Sequence, residues 1–188
     1  RNNVPTPRVT LALDPESALE TIEKIGYPCV VKPLVGSWGR LVAKINDRES
    51  AEALIEHKEA MKGLYNGVFY IQEYIEKPGR DIRVLVIGDE AAGAIYRKSE
   101  GWKTNTALGG IPEHCPLTPQ LKKLAVAAAH AVGGGIVTID VFETKDDLVV
   151  NEVNGVAEFG KSLDAYGVPI PEKIAHYILH HKKKVFKK

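Results

Sequence analysis

Three stretches at residues 68–75, 81–87 and 91–97 are short and either β-branched or alternating, and only Gly88-Asp89-Glu90 separates the last two. So short a connection joins antiparallel neighbours, because a parallel return needs a crossover of a dozen residues or more. A regular βαβ repeat therefore fits less well. Helical patterns flank the β-rich run, and the mixture predicts an α+β protein. Asp14-Pro15-Glu16 supplies an N-cap, a first-turn proline and a first-turn acid for a helix with Leu19, Ile22 and Ile25 that ends at Gly26. A strand over 29–32, a glycine-bearing loop over 36–40, a strand over 41–43 and a helix over 49–62 follow. Thr118-Pro119 caps a helix with Leu121, Leu124, Ala125, Ala128 and Val132 on one face, stopped at Gly133. A hairpin over 137–153 and a helix over 171–181 complete the pattern. Lys77-Pro78-Gly79 interrupts the β-rich run, which predicts a seam between a lobe at 1–77 and a lobe at 78–188.

With 188 residues, 44% of them hydrophobic, the chain can bury a substantial core. Twenty-five Lys and Arg against 24 Asp and Glu leave a net charge of +1, which offers no global field for nucleic acid or a membrane surface. The most apolar region, 124–139, holds His130, Thr138 and three consecutive glycines, too short and broken to span a bilayer. No charged-then-apolar leader opens the sequence. Cys29 and Cys115 form neither a disulfide framework nor a zinc spacing, so reduced thiols in a cytoplasmic protein are expected. Five lysines among residues 182–188 read as a solvated end.

The hairpin at 137–153 places oxygens where a strand usually buries aliphatics. Side chains two apart share a strand face, so Glu152 and Asn154 point the same way. A three-residue loop, Lys145-Asp146-Asp147, pairs Thr144 with Leu148 and sets Asp140 opposite Glu152. Phe142 and Val150 are expected on that same face, which argues against a merely solvated strand side. Two carboxylates and an amide oxygen suit a hard cation such as Mg²⁺, which completes its shell with water and phosphate oxygens.

Lys32 precedes the loop Gly36-Ser37-Trp38-Gly39-Arg40. Its glycines let backbone N–H groups approach phosphates, and Lys32 and Arg40 add charge; a plain turn explains the glycines equally well. Where the chain crosses between lobes, backbone groups around Gln72-Glu73-Tyr74-Ile75 are placed to pair with an adenine edge, and Asp81 with ribose hydroxyls. Arg83 and Arg97 fall on neighbouring strands, and an arginine fork suits phosphate or carboxylate. Residues 155–162 match the P-loop pattern GxxxxGKS. Their context opposes that reading. Glu158 would aim a carboxylate at phosphates, Gly167 and Pro169 cut the following helix short, and 26 residues leave no room for further parallel strands.

In that order, Lys32, the glycine loop, Gln72-Glu73-Tyr74-Ile75, Asp81-Ile82-Arg83 and the Asp140, Glu152, Asn154 set resemble the ATP-grasp enzymes. The runs WKTNTALGG (102–110), HCPLT (114–118), AVGGGIVTIDVFE (131–143) and VNEVNGVAEF (150–159) are most similar to the RimK-like ligases. Within these they resemble the ligases that join 2-aminoadipate to an acidic, LysW-type amino-group carrier protein in lysine biosynthesis. The resemblance implies an ATP-grasp fold of two α+β lobes with ATP between them, and Mg²⁺, or Mn²⁺, as metal. It implies Lys32 near the α-phosphate and adenine, and Gly36, Ser37 and Gly39 over the phosphates. The backbone of Glu73 and Ile75, flanking Tyr74, would hold the adenine edge and Asp81 the ribose. Asp140, Glu152 and Asn154 would hold the metal, Arg83 and Arg97 the phosphoryl group and acyl phosphate, and Asn105 with Thr106 the acceptor.

Family members also carry an N-terminal lobe and a second phosphate-contacting lysine upstream of the position of Arg1, which this chain lacks. The resemblance thus covers about two-thirds of a member, in line with one missing small domain. Leu108 stands where relatives commonly place an arginine. The expected activity is an ADP-forming ligase that couples 2-aminoadipate or glutamate to the C-terminal glutamate of the carrier, in a homo-oligomeric protein that binds neither nucleic acid nor membrane. Alternatives are a glutamate ligase acting on another protein or cofactor, a P-loop phosphotransferase, and a non-catalytic nucleotide-binding fragment.

Overall fold

A computed structural model of the chain describes residues 2–36, 38–61, 63, 67–157 and 159–185. The chain divides into two compact units, Pro7–Glu76 and a second formed by Arg1–Thr6 with Lys77–Lys188. The N-terminal residues, expected with the first lobe, thus group with the second. There the Pro5 carbonyl accepts a hydrogen bond from the Val150 N–H at 2.8 Å.

The first unit contains β1 (Val9–Ala12), α1 (Pro15–Ile25), β2 (Cys29–Lys32), β3 (Ala43–Ile45), α2 (Arg48–Ala60) and β4 (Phe69–Glu73). The strands form an antiparallel sheet in the order β1-β4-β2-β3. Asp14 caps α1 by accepting from the Ser17 N–H, and Asp47 caps α2 in a reciprocal box with Ser50. Ala18 and Ile22 of α1 and Ala51 and Ile55 of α2 pack on Cys29, Val31, Ile45, Phe69 and Ile71. The opposite face pairs Val30 with Lys44 and Gln72, and there Val30 and Gln72 are buried outside that core. Lys32 and Lys44 are not among the residues of that core.

The second unit contains β5 (Arg80–Ile87), β6 (Glu90–Lys98), β7 (Ile111–His114), α3 (Pro119–Ala131), β8 (Ile136–Glu143), β9 (Leu148–Asn154), the short α4 (Leu163–Tyr166) and α5 (Ile170–Val185). Its antiparallel sheet runs β7-β6-β5-β8-β9. Alternation divides β5 cleanly between two faces. Ile82, Val84 and Val86 pack with Val137, Ile139 and Val141 of β8 against Leu121, Ala125 and Ala128 of α3. Leu85 and Ile87 lie on the opposite face under Tyr166 and Ile170. That opposite face continues into Asp81 and Arg83, so one end of it is apolar and covered and the other is charged. Among the described residues, no helix is long and apolar enough to cross a membrane.

Candidate active site on the charged end of the second sheet

The β8–β9 pairing sets Asp140 opposite Glu152, as the sequence predicts, but by a different route. The strands leave the turn with Glu143 paired to Leu148 rather than Thr144, and Val141 opposes Val150. A bulge between Asp140 and Val141 then takes up one residue, and the register shifts by one. Asn151 is the inserted residue. It also explains why Val150 packs in the core beneath α3, contrary to its expected place on the face of Asp140. Asn154 Nδ2 donates to Glu152 Oε1 at 3.1 Å, so these two side chains do meet.

Cross-strand pairs extend this cluster across the sheet. Arg83 of β5 lies opposite Asp140, and Arg97 of β6 lies opposite Asp81. Arg83 donates through Nε and Nη2 to both oxygens of Asp140 at 2.7 and 2.8 Å. Arg97 grips Asp81 in the same bidentate manner at 2.7 and 2.6 Å, and its Nη2 also reaches Asp140 Oδ2 at 2.9 Å. Burial alone would raise the Asp140 pKa, but Arg97 first and Arg83 second outweigh it and hold the carboxyl at about 2. Burial likewise opposes the charge on Arg97, and Asp140 and Asp81 more than offset it, keeping the guanidinium protonated. The result is a charged row across four strands in which two arginines alternate with Asp81 and Asp140 and a second carboxylate, Glu152, ends the row; it is buried at Arg97 and Asp140 and open to solvent at Glu152.

This geometry bears on two expected roles. Asp81 is 3% exposed, and it accepts from Arg97 and from Thr104 Oγ1 at 2.6 Å, with Lys77 Nζ at 3.9 Å. So enclosed, the Asp81 carboxylate holds Arg97 and Thr104. Arg97 is itself 2% exposed and bridges two carboxylates, which braces Asp140. Arg83, at 15% side-chain exposure, is the arginine that reaches the open side.

Asn105 and Thr106 open a tight 3₁₀ turn, Thr106–Leu108, with the Asn105 carbonyl accepting from the N–H groups of Leu108 and Gly110 at 2.9 and 3.2 Å. A Cβ on Gly110 would stand 2.4 Å from the Thr104 carbonyl oxygen, so the turn closes only with glycine there. Thr104 and Lys77, which sequence reasoning missed, tie this loop to Asp81: Lys77 Nζ donates to Thr104 Oγ1 at 2.8 Å. Tyr166 was missed too. Its buried hydroxyl, with that of Thr138, has no hydrogen-bond partner among the described residues. Burial chiefly pushes the Tyr166 phenol up to about 12.

In the first unit, Lys32 Nζ donates to Gln72 Oε1 at 2.7 Å. The Glu73 N–H donates to the Arg8 carbonyl at 3.0 Å. The Arg8 N–H, however, goes to the Glu73 carboxylate at 2.8 Å instead of to its backbone carbonyl. The expected adenine contact of Glu73 therefore narrows to its carbonyl oxygen. Ile75 lies past the end of β4, and Tyr74 stacks its ring under Lys44 Nζ at 3.9 Å. In the glycine loop Gly39 has φ 67°, which favours glycine, and Arg40 lies over the Trp38 ring at 5.0 Å, so its charge is turned onto an indole. Gly36 is exposed, and Ser37 lies outside the described residues. The P-loop match gains no support: the helix after Ser162 is α4, four residues long and ended by Gly167 at φ 66°.

Asp140, Glu152 and Asn154 carry oxygens, the donor type of a hard divalent cation, with both Asp140 oxygens engaged by Arg83 and Arg97. Among the described residues no group of three or more His, Cys, Asp or Glu is placed to hold a metal ion, so the protein ligands here are few. An ion held by so few protein ligands keeps positions for phosphate oxygens, the habit of Mg²⁺.

The chain is 44% identical over 161 residues to the alpha-aminoadipate–LysW ligase LysX of Saccharolobus solfataricus, covering 85% of this chain and 58% of that protein. It is 38% identical to the glutamate–LysW ligase ArgX of Sulfurisphaera tokodaii, covering 98% of this chain and 66% of that one. The crystal structure of a RimK domain ATP-grasp protein from Sphaerobacter thermophilus superposes with a TM-score of 0.76 at 29% identity, covering 94% of this chain and 62% of that one. The RimK-like ATP-grasp domain matches residues 1–178. The chain belongs to the RimK-like ATP-grasp family.

Proposed function

We propose that the chain forms the nucleotide-binding and catalytic portion of an ADP-forming ligase that joins an amino-acid amine to a carboxylate. The observation that carries this reading is the row Arg83–Asp140–Glu152 with Asn154, a row of oxygen ligands backed by fixed positive charge. Support for a LysW-type acidic carrier as acceptor, and for 2-aminoadipate or glutamate as amine donor, comes from the likeness to proteins named for those substrates. Those two donors differ by one methylene, a difference worth only about 1–3 kcal/mol in a pocket.

A carboxylate is a poor electrophile, so it must first gain a leaving group. Its oxygen attacks the γ-phosphorus of ATP, the bond to the bridging oxygen breaks, and ADP departs. The amine then attacks the acyl carbon, phosphate leaves, and the amine gives up a proton. Mg²⁺ held by Asp140, Glu152 and Asn154 would neutralise phosphate oxygens through both steps. Arg83 offers the rest of its fork to the transferring group, while Arg97 keeps Asp140 ionised and in place. Within the first unit, Lys32 and the carbonyl of Glu73 are the groups offered to a nucleotide. The loop at 105–110 would line the acceptor.

The reading is tested by incubating the chain with ATP, Mg²⁺ and an acidic carrier protein ending in glutamate, offering each amino acid in turn and weighing the carrier. A mass gain of one 2-aminoadipyl or glutamyl residue with matching ADP is expected. Mg-ATP binding without ADP from any carboxylate and amine pair would contradict it in favour of a non-catalytic nucleotide-binding fragment.

A further inference from the structure

Lys77 and Asp81, four residues apart, meet Thr104 from a distant loop in a buried knot. Thr104 Oγ1 is used twice. It accepts from Lys77 Nζ at 2.8 Å and donates to Asp81 Oδ2 at 2.6 Å. A cation on one side and a carboxylate on the other fix the direction of its proton. The Lys77 and Asp81 side chains are 8% and 4% exposed, and Lys77 Nζ also lies 4.8 Å over the Phe142 ring. Such a group is costly to bury and is stable only when every partner is satisfied.

The knot joins two functional parts. Through Asp81 it holds Arg97, and through Arg97 it holds Asp140. Through Thr104 it begins the tight turn at 105–110, which the Asn105 carbonyl closes by accepting from Leu108 and Gly110. We propose that Thr104, with Lys77 and Asp81, is a positioning unit that sets the acceptor loop relative to the Arg97–Asp140 brace. The proposal rests on the ligase reading for what the loop binds, but the pinning of the loop stands on geometry alone. Thr104 touches no reacting atom; it acts through Asp81 and through the loop that it starts.

The test replaces Thr104 in the full chain. Thr104→Val keeps the shape and removes the hydroxyl, and Thr104→Ser restores it. Trp102, two residues away, reports on the loop: its fluorescence is read by acrylamide quenching in a Trp38→Phe background that silences the other tryptophan. Kinetics are read in the chain that retains Trp38, as KM for the carboxylate acceptor, KM for ATP, and kcat. Thr104→Val is expected to expose Trp102 to the quencher and to raise the acceptor KM about 10-fold, the loss of one hydrogen bond to a charged group, while the KM for ATP holds. Thr104→Ser is expected to reverse both changes. Quenching that stays as in the parent, or a loss shared equally by both substrates and not rescued by serine, overturns the proposal. Failure of the parent chain to make ADP would count against the ligase reading alone, and the quenching arm would still decide whether Thr104 pins the loop.

Discussion

Replacing Arg97 with methionine removes the most enclosed charge of the site while keeping most of its volume. Arg97 makes three charge-assisted contacts, two to Asp81 at 2.7 and 2.6 Å and one to Asp140 at 2.9 Å. The carboxylates left behind are 3% and 1% exposed and cannot be rehydrated without opening the sheet. Neither becomes an orphan, since Asp140 keeps Arg83 and Asp81 keeps Thr104. Breaking a buried pair costs about 3–5 kcal/mol, and the surviving partners hold the expected loss near the middle, about 4 kcal/mol. Removing Asp81 as well, by Arg97→Met with Asp81→Leu, should cost less than the sum of the two single changes by about 1–3 kcal/mol. Urea unfolding followed through Trp102, which lies in the second unit, in a Trp38→Phe background measures both quantities. Lys98→Met serves as control, because Lys98, in the same unit as Trp102, is 44% exposed in its pair with Glu113, and its midpoint should not move. A loss below about 1 kcal/mol for Arg97→Met, or strict additivity in the double variant, would refute the claim that this cluster braces the sheet.

Acid should expose the same cluster. Asp140 titrates at about 2 in the fold against 3.8 ordinarily, so its contribution is fully present above pH 3.8 and is lost as pH falls through about 2. Urea midpoints of the chain and of Asp140→Asn, measured from pH 5 downward, should converge across that window, and parallel curves would contradict it. Tyr166→Phe deletes a buried hydroxyl that lacks a partner and should leave stability unchanged or raise it by up to about 1 kcal/mol; a loss of that size instead would show that the hydroxyl is used. Gly110→Ala must push a Cβ against the Thr104 carbonyl, 2.4 Å away, and should destabilise the second unit by about 1–3 kcal/mol, read as a lower urea midpoint. An unmoved midpoint would mean that the turn opens freely.

Alternation and turn chemistry made the hairpins legible, and with them the pairing of Asp140 with Glu152. The route was not legible: a bulge costs one residue and leaves no mark in the sequence beyond Asn151 standing where an aliphatic was due. Depth was hidden as well. Strand periodicity assigns Asp81 and Arg97 to a face but says nothing of how deeply that face is covered, so two charged residues read as ligand contacts turned out to hold each other. Lys77 and Thr104 escaped notice because a lysine before Pro-Gly and a threonine in a loop look like solvated positions. β1 and β7 were missed as edge strands: Val9 and Leu11 of β1 are exposed, and β7 carries Pro112, which erases the usual pattern. Ser37 and the side chain of Lys161 fall outside the described residues, so the structure adds nothing to what was expected of them.

The central claim is that the nucleotide's metal is held by the Asp140–Glu152–Asn154 hairpin and not by the neighbouring Gly-Lys-Ser. Glu152 offers the cleanest probe, because its exposed side chain can be changed without unpacking the brace behind it. Calorimetric titration of Mg-ATP into Glu152→Gln and Lys161→Ala decides between the two sites. A loss of at least about 10-fold in Mg-ATP affinity for Glu152→Gln, with Lys161→Ala matching the parent chain, is the predicted outcome. Unchanged affinity in Glu152→Gln together with abolished binding in Lys161→Ala would contradict it.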